Sequence, residues 1–309
     1  MCTSGAGTAT KRAAYTAAVR AVALDGNGLP ELVELPEPAG PGELVNVLAC
    51  GLCGSDVEKL GRGPAGAVLG HEVVGTTADG TRVTVMHRVP CGDCERCRSG
   101  HESTCSAFAD VRIEPGGFAE RLRATHLVPL PESLDPLTGV WVEPLACVIR
   151  ASQSVPRGRV LVVGAGAIGK LWIQVLRRRG DEVVATDLRD DRLGEAEQLG
   201  ARRDGAPVAS AVVTAHGGLN AALRRLEPGG TLLVFAAPAE DVPVALDAVY
   251  RNELHVVGSR SASPSSFAEA VEVLPELRLP DVLQLPFERF RDGVELYRRG
   301  EVAKVVFAP

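Results

Sequence analysis

The stretch "RVLVVGAGAIGKLWIQVLRRRGDEVVATD", residues 159–187, decides the fold. It opens as an apolar strand, turns on glycines, runs through an amphipathic helical segment and closes on a second apolar strand. Gly164, Gly166 and Gly169 form G-x-G-x-x-G, with Ile168 just ahead of the third glycine. Such a pattern is weak alone; placed between a strand and a helix it is the context of a dinucleotide-binding turn. The first glycine permits the tight turn, the second lets a pyrophosphate approach, and the third lets helix pack on strand. Free N–H groups at the helix start carry a partial positive charge that complements the anion. Asp187 ends the second strand, about 20 residues on, where a carboxylate accepts hydrogen bonds from the adenosine ribose. The same charge repels a 2′-phosphate, so NAD is expected in preference to NADP. Arg189 and Arg192 follow closely and blunt that preference.

Strands and helices continue to alternate beyond this unit, through "DRLGEAEQLG", "SAVVTA", "GLNAALRRL", "GTLLVFAA" and "ELHVVGS". That order predicts an α/β fold with a doubly wound parallel sheet covered on both faces. Before about Ser152 the texture differs. Short β-branched runs such as "ELVNVLAC" and "EVVGTTADGTRVTVMHRV", separated by Gly and Pro, predict a compact, mostly antiparallel β domain. The tail, "FAEAVEVL" and "GVELYRRGEVAKVVFAP", offers helices and a last strand. A chain of 309 residues accommodates two such domains.

No apolar run approaches the roughly 18 residues of a membrane span, so no membrane partner is expected. A net charge of −6 argues against a nucleic-acid surface. The N-terminal "MCTSGAGTATKRAAYTA" lacks the apolar core of a secretory signal and reads as a disordered extension over 1–17. A cytoplasmic location is expected, where cysteines serve as ligands or catalysts more often than as disulfides.

Four of the eight cysteines fall in "CGDCERCRSGHESTC": Cys91, Cys94, Cys97 and Cys105. A ferredoxin-type cluster needs a different last spacing and a following proline, and paired zinc-finger halves need a longer separation. Four thiolates at these spacings close a tetrahedron around one structural zinc and leave no position for chemistry. A second set stays open. Cys53 in "CGLCGSDVEKL" with His71 and Glu72 in "GHE" offers one thiolate, one imidazole and one carboxylate, leaving a fourth position free on a catalytic zinc. Cys50 and Cys53 also fit a C-x-x-C redox pair, but the thioredoxin-like context is missing around them. Cys50 and Cys147 then read as small core side chains.

Taken in order, "CGLCGSD", "GHEVVG", the four-cysteine lobe, "EPLACVIRA" and "VVGAGAIG" resemble the zinc-dependent medium-chain dehydrogenase/reductase superfamily, most closely its sorbitol/polyol and threonine dehydrogenase branch. The resemblance implies a GroES-like catalytic domain over 18–151 with its structural zinc lobe at 91–105. It further implies a Rossmann NAD-binding domain over 152–259 and a C-terminal segment, 260–309, that returns to the catalytic domain. Carried over by position, Cys53 and His71 are catalytic zinc ligands and Glu72 is the adjacent carboxylate that ligates directly or transiently. Glu143 is a further ligand, directly or through water. Ser55 takes the proton from the alcohol, Asp187 and Arg192 meet the adenosine ribose, and Lys304 reaches the cofactor pyrophosphate. The implied activity is hydride transfer between a secondary alcohol (a polyol, cyclitol or sugar-derived compound) and NAD, in a homodimer or homotetramer. An NADP-linked sugar or amino-alcohol dehydrogenase, and a non-catalytic zinc- and nucleotide-binding relative, are the alternatives.

Departures from the family pattern stand out. The stretch between "CGSD" and "GHE" is short, which trims one wall of the substrate pocket. Glu58 replaces the histidine that ends the proton relay in many relatives. Only "RRDGAPVA" separates "EAEQLGA" from "SAVVTA", where relatives have a strand and a helical crossover. His216 occupies the loop after "SAVVTA" and is read as a spacer.

Overall fold

The structure is a computed structural model that describes residues 18–109, 111–215, 217–236 and 241–309. The expected N-terminal extension, with Cys2, and His216 lie outside the described residues.

The first half forms β1 (Val19–Leu24) and β2 (Pro30–Leu35), an antiparallel ribbon. It then forms β3 (Glu43–Gly51), α1 (Gly54–Lys59), β4 (Glu72–Thr76) and β5 (Arg82–Val85). After α2 (Glu95–Arg98) in the cysteine lobe come β6 (Ile113–Glu114), β7 (Arg121–Ala124) and β8 (Leu127–Pro129). The long strand β3 is the hub, antiparallel to both β4 and β7. Val45 and Val47 are buried while Asn46 and Leu48 face outward, the alternation a half-covered strand requires; at the end of the strand Ala49, Cys50 and Gly51 are all buried, covered on both faces.

Two helices, α3 (Pro136–Gly139) and α4 (Val142–Ser152), lead into the glycine unit. Helix α4 is apolar over most of its surface because it is covered on both sides; Trp141, Leu145 and Val148 join a core shared with the parallel layer. The parallel layer comprises β9 (Arg159–Val163), α5 (Ala167–Arg178), β10 (Glu182–Thr186), α6 (Asp190–Gln198) and β11 (Val208–Val213). It continues with α7 (Leu219–Leu223), β12 (Leu226–Val234), α8 (Leu246–Arg251) and β13 (His255–Gly258). Its five strands run parallel in the order β10-β9-β11-β12-β13. Leu171, Trp172, Ile173 and Leu176 of α5 are fully buried, which holds the helix that follows the glycine turn against the sheet.

The short connection before β11 has the effect its length dictates. Where a further edge strand would pair with β10, only Arg202 does so, bridging Val184. Its N–H donates to Val183 O at 2.8 Å and its O accepts Ala185 N–H at 2.9 Å. Glu182, Arg159 and Arg202 then place paired charges on the exposed edge, a device that discourages strand addition by another chain.

The tail forms α9 (Pro264–Val273), β14 (Val282–Pro286), α10 (Phe290–Arg298) and β15 (Lys304–Ala308). Strand β15 lies antiparallel to β3, with Phe307 opposite Cys50, and β14 runs parallel to β15. The last residues thus extend the antiparallel sheet begun by the first half.

Candidate active site

Cys53 sits at the turn from β3 into α1, in extended conformation, so its thiol projects ahead of the helix. His71 precedes β4 and Glu72 is its first residue. Because β4 pairs with the end of β3, Glu72 falls opposite Gly51, two residues before Cys53. Side chains that β-pairing brings together converge as expected: the ligand atoms of Cys53, His71 and Glu72 all lie within 4.8 Å of one another. Ser55 Oγ donates to Cys53 Sγ at 3.4 Å.

Asp56, which the motif reading passed over, organises this cluster. Its side chain is 1% exposed. One oxygen accepts the Cys53 N–H (3.1 Å), and the other accepts the Gly70 N–H (3.2 Å) and faces His71 Nδ1 at 3.3 Å. Burial alone would lower the His71 pKa; the Asp56 carboxylate and the Cys53 thiol outweigh it and hold the ring well above its usual value. Asp56 thereby fixes which His71 nitrogen faces the cluster. The ring of His87 lies against His71, centroids 4.6 Å apart, and burial keeps it neutral, its pKa pushed down to about 2.

Two of the expected site residues have other partners in this structure. Lys304 does not reach into the cofactor cleft: it is buried, its ammonium pairs with Glu72 and donates to Leu52 O at 3.2 Å. The cause is the register of β15 beside β3, which points the side chain at the cluster; an unpaired carboxylate there would be costly. Glu143 is buried on α4 and is not among the three converging donors. It accepts instead from the Cys147 thiol, one helical turn on, at 3.5 Å. Burial, with Glu72 nearby, pushes its carboxyl above the usual range, against the pull of His71.

A cleft of about 1010 Å³ lies between the glycine turn and helix α1, where Gly54, the residue after Cys53, is part of its lining. Gly164, Gly166, Ile168, Gly169, Asp187 and Arg192 all line it. Gly164 takes φ +94°, and a Cβ on Gly169 would come 1.9 Å from Gly164 O, so turn and helix touch backbone to backbone. Asp187 accepts the Ala165 N–H (2.7 Å) and the Arg189 N–H (3.0 Å), which aims its carboxylate at the turn. Arg192 Nη1 stands 3.9 Å from Asp187, and Arg189 donates across the cleft to Gly300 O at 2.6 Å. Gly54, Glu58 and Tyr297 form part of the opposite wall.

The cysteine lobe fits a cation independently. Its four sulfurs lie within 4.8 Å of one another, with neighbouring separations of 3.5 to 3.9 Å. A tetrahedron with metal–sulfur bonds of about 2.3 Å has edges of about 3.8 Å. The Cys91 N–H draws the Cys105 thiol down to about 6, while Cys91 itself, chiefly through Asp93, is pushed up to about 12. Thiols this crowded do not all ionise without a cation among them. The three-donor cluster likewise has the mixed S, N and O donors of an open zinc site.

Comparison with known proteins agrees with this geometry. Residues 40–132 match the family model described as the alcohol dehydrogenase GroES-like domain. The D-altritol 5-dehydrogenase of Agrobacterium fabrum is 33% identical, the alignment covering 84% of this chain and 92% of that protein. The sorbitol dehydrogenase of Halalkalibacterium halodurans is 29% identical, over 92% and 97% of the two chains. Among solved structures, the acetophenone reductase of Geotrichum candidum in complex with NAD superposes with a TM-score of 0.83 at 21% identity, covering 94% of this chain and 97% of that one, a likeness of fold.

Proposed function

Since the chain belongs to the zinc-dependent medium-chain dehydrogenase/reductase superfamily, we propose that it oxidises a secondary alcohol of a polyol or sugar-derived substrate, with hydride transfer to NAD. One observation carries this reading: the Cys53–His71–Glu72 donors converge beside Gly54, which lines a cleft whose other wall is a G-x-G-x-x-G turn. The two named relatives act on altritol and sorbitol, which supports a polyhydroxylated substrate class.

Zinc bound by Cys53, His71 and Glu72 supplies Lewis acidity that brings an alcohol's ionisation toward neutral pH. The chain's own groups do the rest. Asp56 holds His71 in place, and Lys304 pairs with Glu72 beside the thiol. Ser55 Oγ, beside Cys53, receives the substrate's hydroxyl proton. Glu58, three residues on along α1, offers that proton a carboxylate at the exposed wall of the cleft. Glu143, with its raised pKa, stays close enough to modulate the cluster as a further or alternate donor. Cys91, Cys94, Cys97 and Cys105 hold the second, structural zinc.

Asp187 favours NAD, since its carboxylate accepts ribose hydroxyls and repels a 2′-phosphate. The described cysteines are free thiols, which suits a cytoplasmic enzyme. No helix among the described residues is long and apolar enough to cross a membrane. A homodimer through β13 fits its exposure, with Val256 and Val257 uncovered on an edge strand.

A panel of monohydric secondary alcohols, polyols and sugars, with NAD or NADP and absorbance of the reduced nicotinamide as readout, tests the reading. Turnover of polyols with NAD is expected; a panel without any oxidation at full zinc loading contradicts it.

A further inference from the structure

Tyr297, on α10, faces the same cleft as the glycine turn. A Cβ added at Gly54 would lie 3.5 Å from its Oη, so the hydroxyl stands over the residue between Cys53 and Ser55. The ring packs on the core of the antiparallel sheet, which leaves it little freedom to turn away. Burial keeps the phenol protonated, its pKa pushed up to about 12 despite Lys304 nearby. The oxygen is therefore a donor throughout the working range. Among the described residues it has no hydrogen-bond partner, so the hydroxyl is available to a ligand in the cleft. Lys304, outside the cleft, is committed to Glu72. At the adenosine end Arg189 and Arg192 already reach Gly300 O. The end of the cleft beside Gly54 thus carries a fixed neutral donor in Tyr297.

We propose that the Tyr297 hydroxyl binds the nicotinamide half of the dinucleotide, donating to its ribose–phosphate portion beside Gly54. This rests on the reading of the cleft as a nicotinamide cofactor site and adds a residue to it. Tyr297 acts here as a positioning residue for the cofactor, holding the reactive end at the Cys53 cluster.

The test is equilibrium binding to the zinc-loaded, full-length protein, wild type and Tyr297→Phe, with NADH followed by its fluorescence and with ADP-ribose and AMP as competitors. The variant keeps the ring and its packing, so zinc content and melting temperature stay as in wild type. Kd for NADH and ADP-ribose is expected to rise roughly five- to tenfold, and that for AMP to change less than about twofold. Unchanged NADH binding, or equal weakening of all three ligands, overturns the proposal. A wild-type protein that binds none of them overturns the cofactor reading, and this inference with it.

Discussion

Asp56 meets neither substrate nor cofactor in this account, yet three parts of the site depend on it: the Cys53 amide, the Gly70 amide and the His71 ring. A buried carboxylate keeps its charge when hydrogen bonds and a nearby cation outweigh desolvation, and the net effect here is a pKa below the usual carboxylate value. Asp56→Asn keeps the shape but removes the charge that orients His71. Zinc affinity, measured by competition with a chromogenic chelator, is expected to fall about 10- to 100-fold; an unchanged affinity would show that His71 is positioned by packing alone. Lys304 teaches the complementary lesson. Its partner Glu72 is 232 residues away in sequence, and nothing local in "VAKVVFA" signals the pairing. Positions alone led Lys304 to the pyrophosphate; strand register took it to Glu72. Cys53, His71 and Glu72 were legible because two short motifs carry all three, whereas Asp56 was legible only in hindsight, as the fourth residue of a C-x-x-D turn that caps its own helix.

At the scale of elements, the glycine unit was readable in full because each of its constraints is local. The apolar run sets β9, the close approach of Gly169 to Gly164 sets the turn, and the buried face sets α5. Helix α4 was less readable, because an element covered on both sides loses the amphipathic period that announces a surface helix. Strand β14 was also missed; its five residues follow a Pro-rich connection and gain their identity from pairing with β15. Ahead of α4, α3 is capped by Asp135, which accepts the Leu137 and Thr138 N–H groups. Desolvation opposes the shift, but these bonds and the Thr138 hydroxyl hold the Asp135 carboxyl below 3.8. A lowered folded pKa means that the cap's stabilisation is present above the unfolded value and is lost as pH falls through the folded one. Asp135→Ala is therefore expected to cost about 1 kcal/mol at pH 7, and the difference should shrink in urea unfolding below about pH 3.8. An equal cost at both pH values would refute the cap.

Over the whole molecule, the chain order conceals the working unit. The last strands complete the sheet started by β3, so the cleft wall facing the glycine turn combines α1 with the C-terminal α10. The parallel sheet ends on one side in the charged edge at β10 and on the other in β13, whose four residues are all exposed. Leu246 and Tyr250 of α8 are uncovered close to it in the chain, at 71% and 84% exposure. Charged pairs guard one edge and apolar side chains decorate the other, which is the asymmetry expected if only the second is covered by another copy. For the homodimer proposed through this edge, Val257→Asp should lower the mass from dimer to monomer in size-exclusion chromatography with light scattering; an unchanged mass contradicts pairing through β13.

The central claim is an open metal site at the head of a nucleotide cleft, distinct from the closed four-thiol site. Zinc counted per chain in wild type and Cys53→Ala, alongside NADH binding and alcohol oxidation, tests it most directly. Two zinc ions per chain are expected in the wild type, from the two donor groups. The variant should retain one, bind NADH within about twofold of wild type and lose turnover. A variant that keeps both metals and oxidises substrate at the wild-type rate would contradict the account.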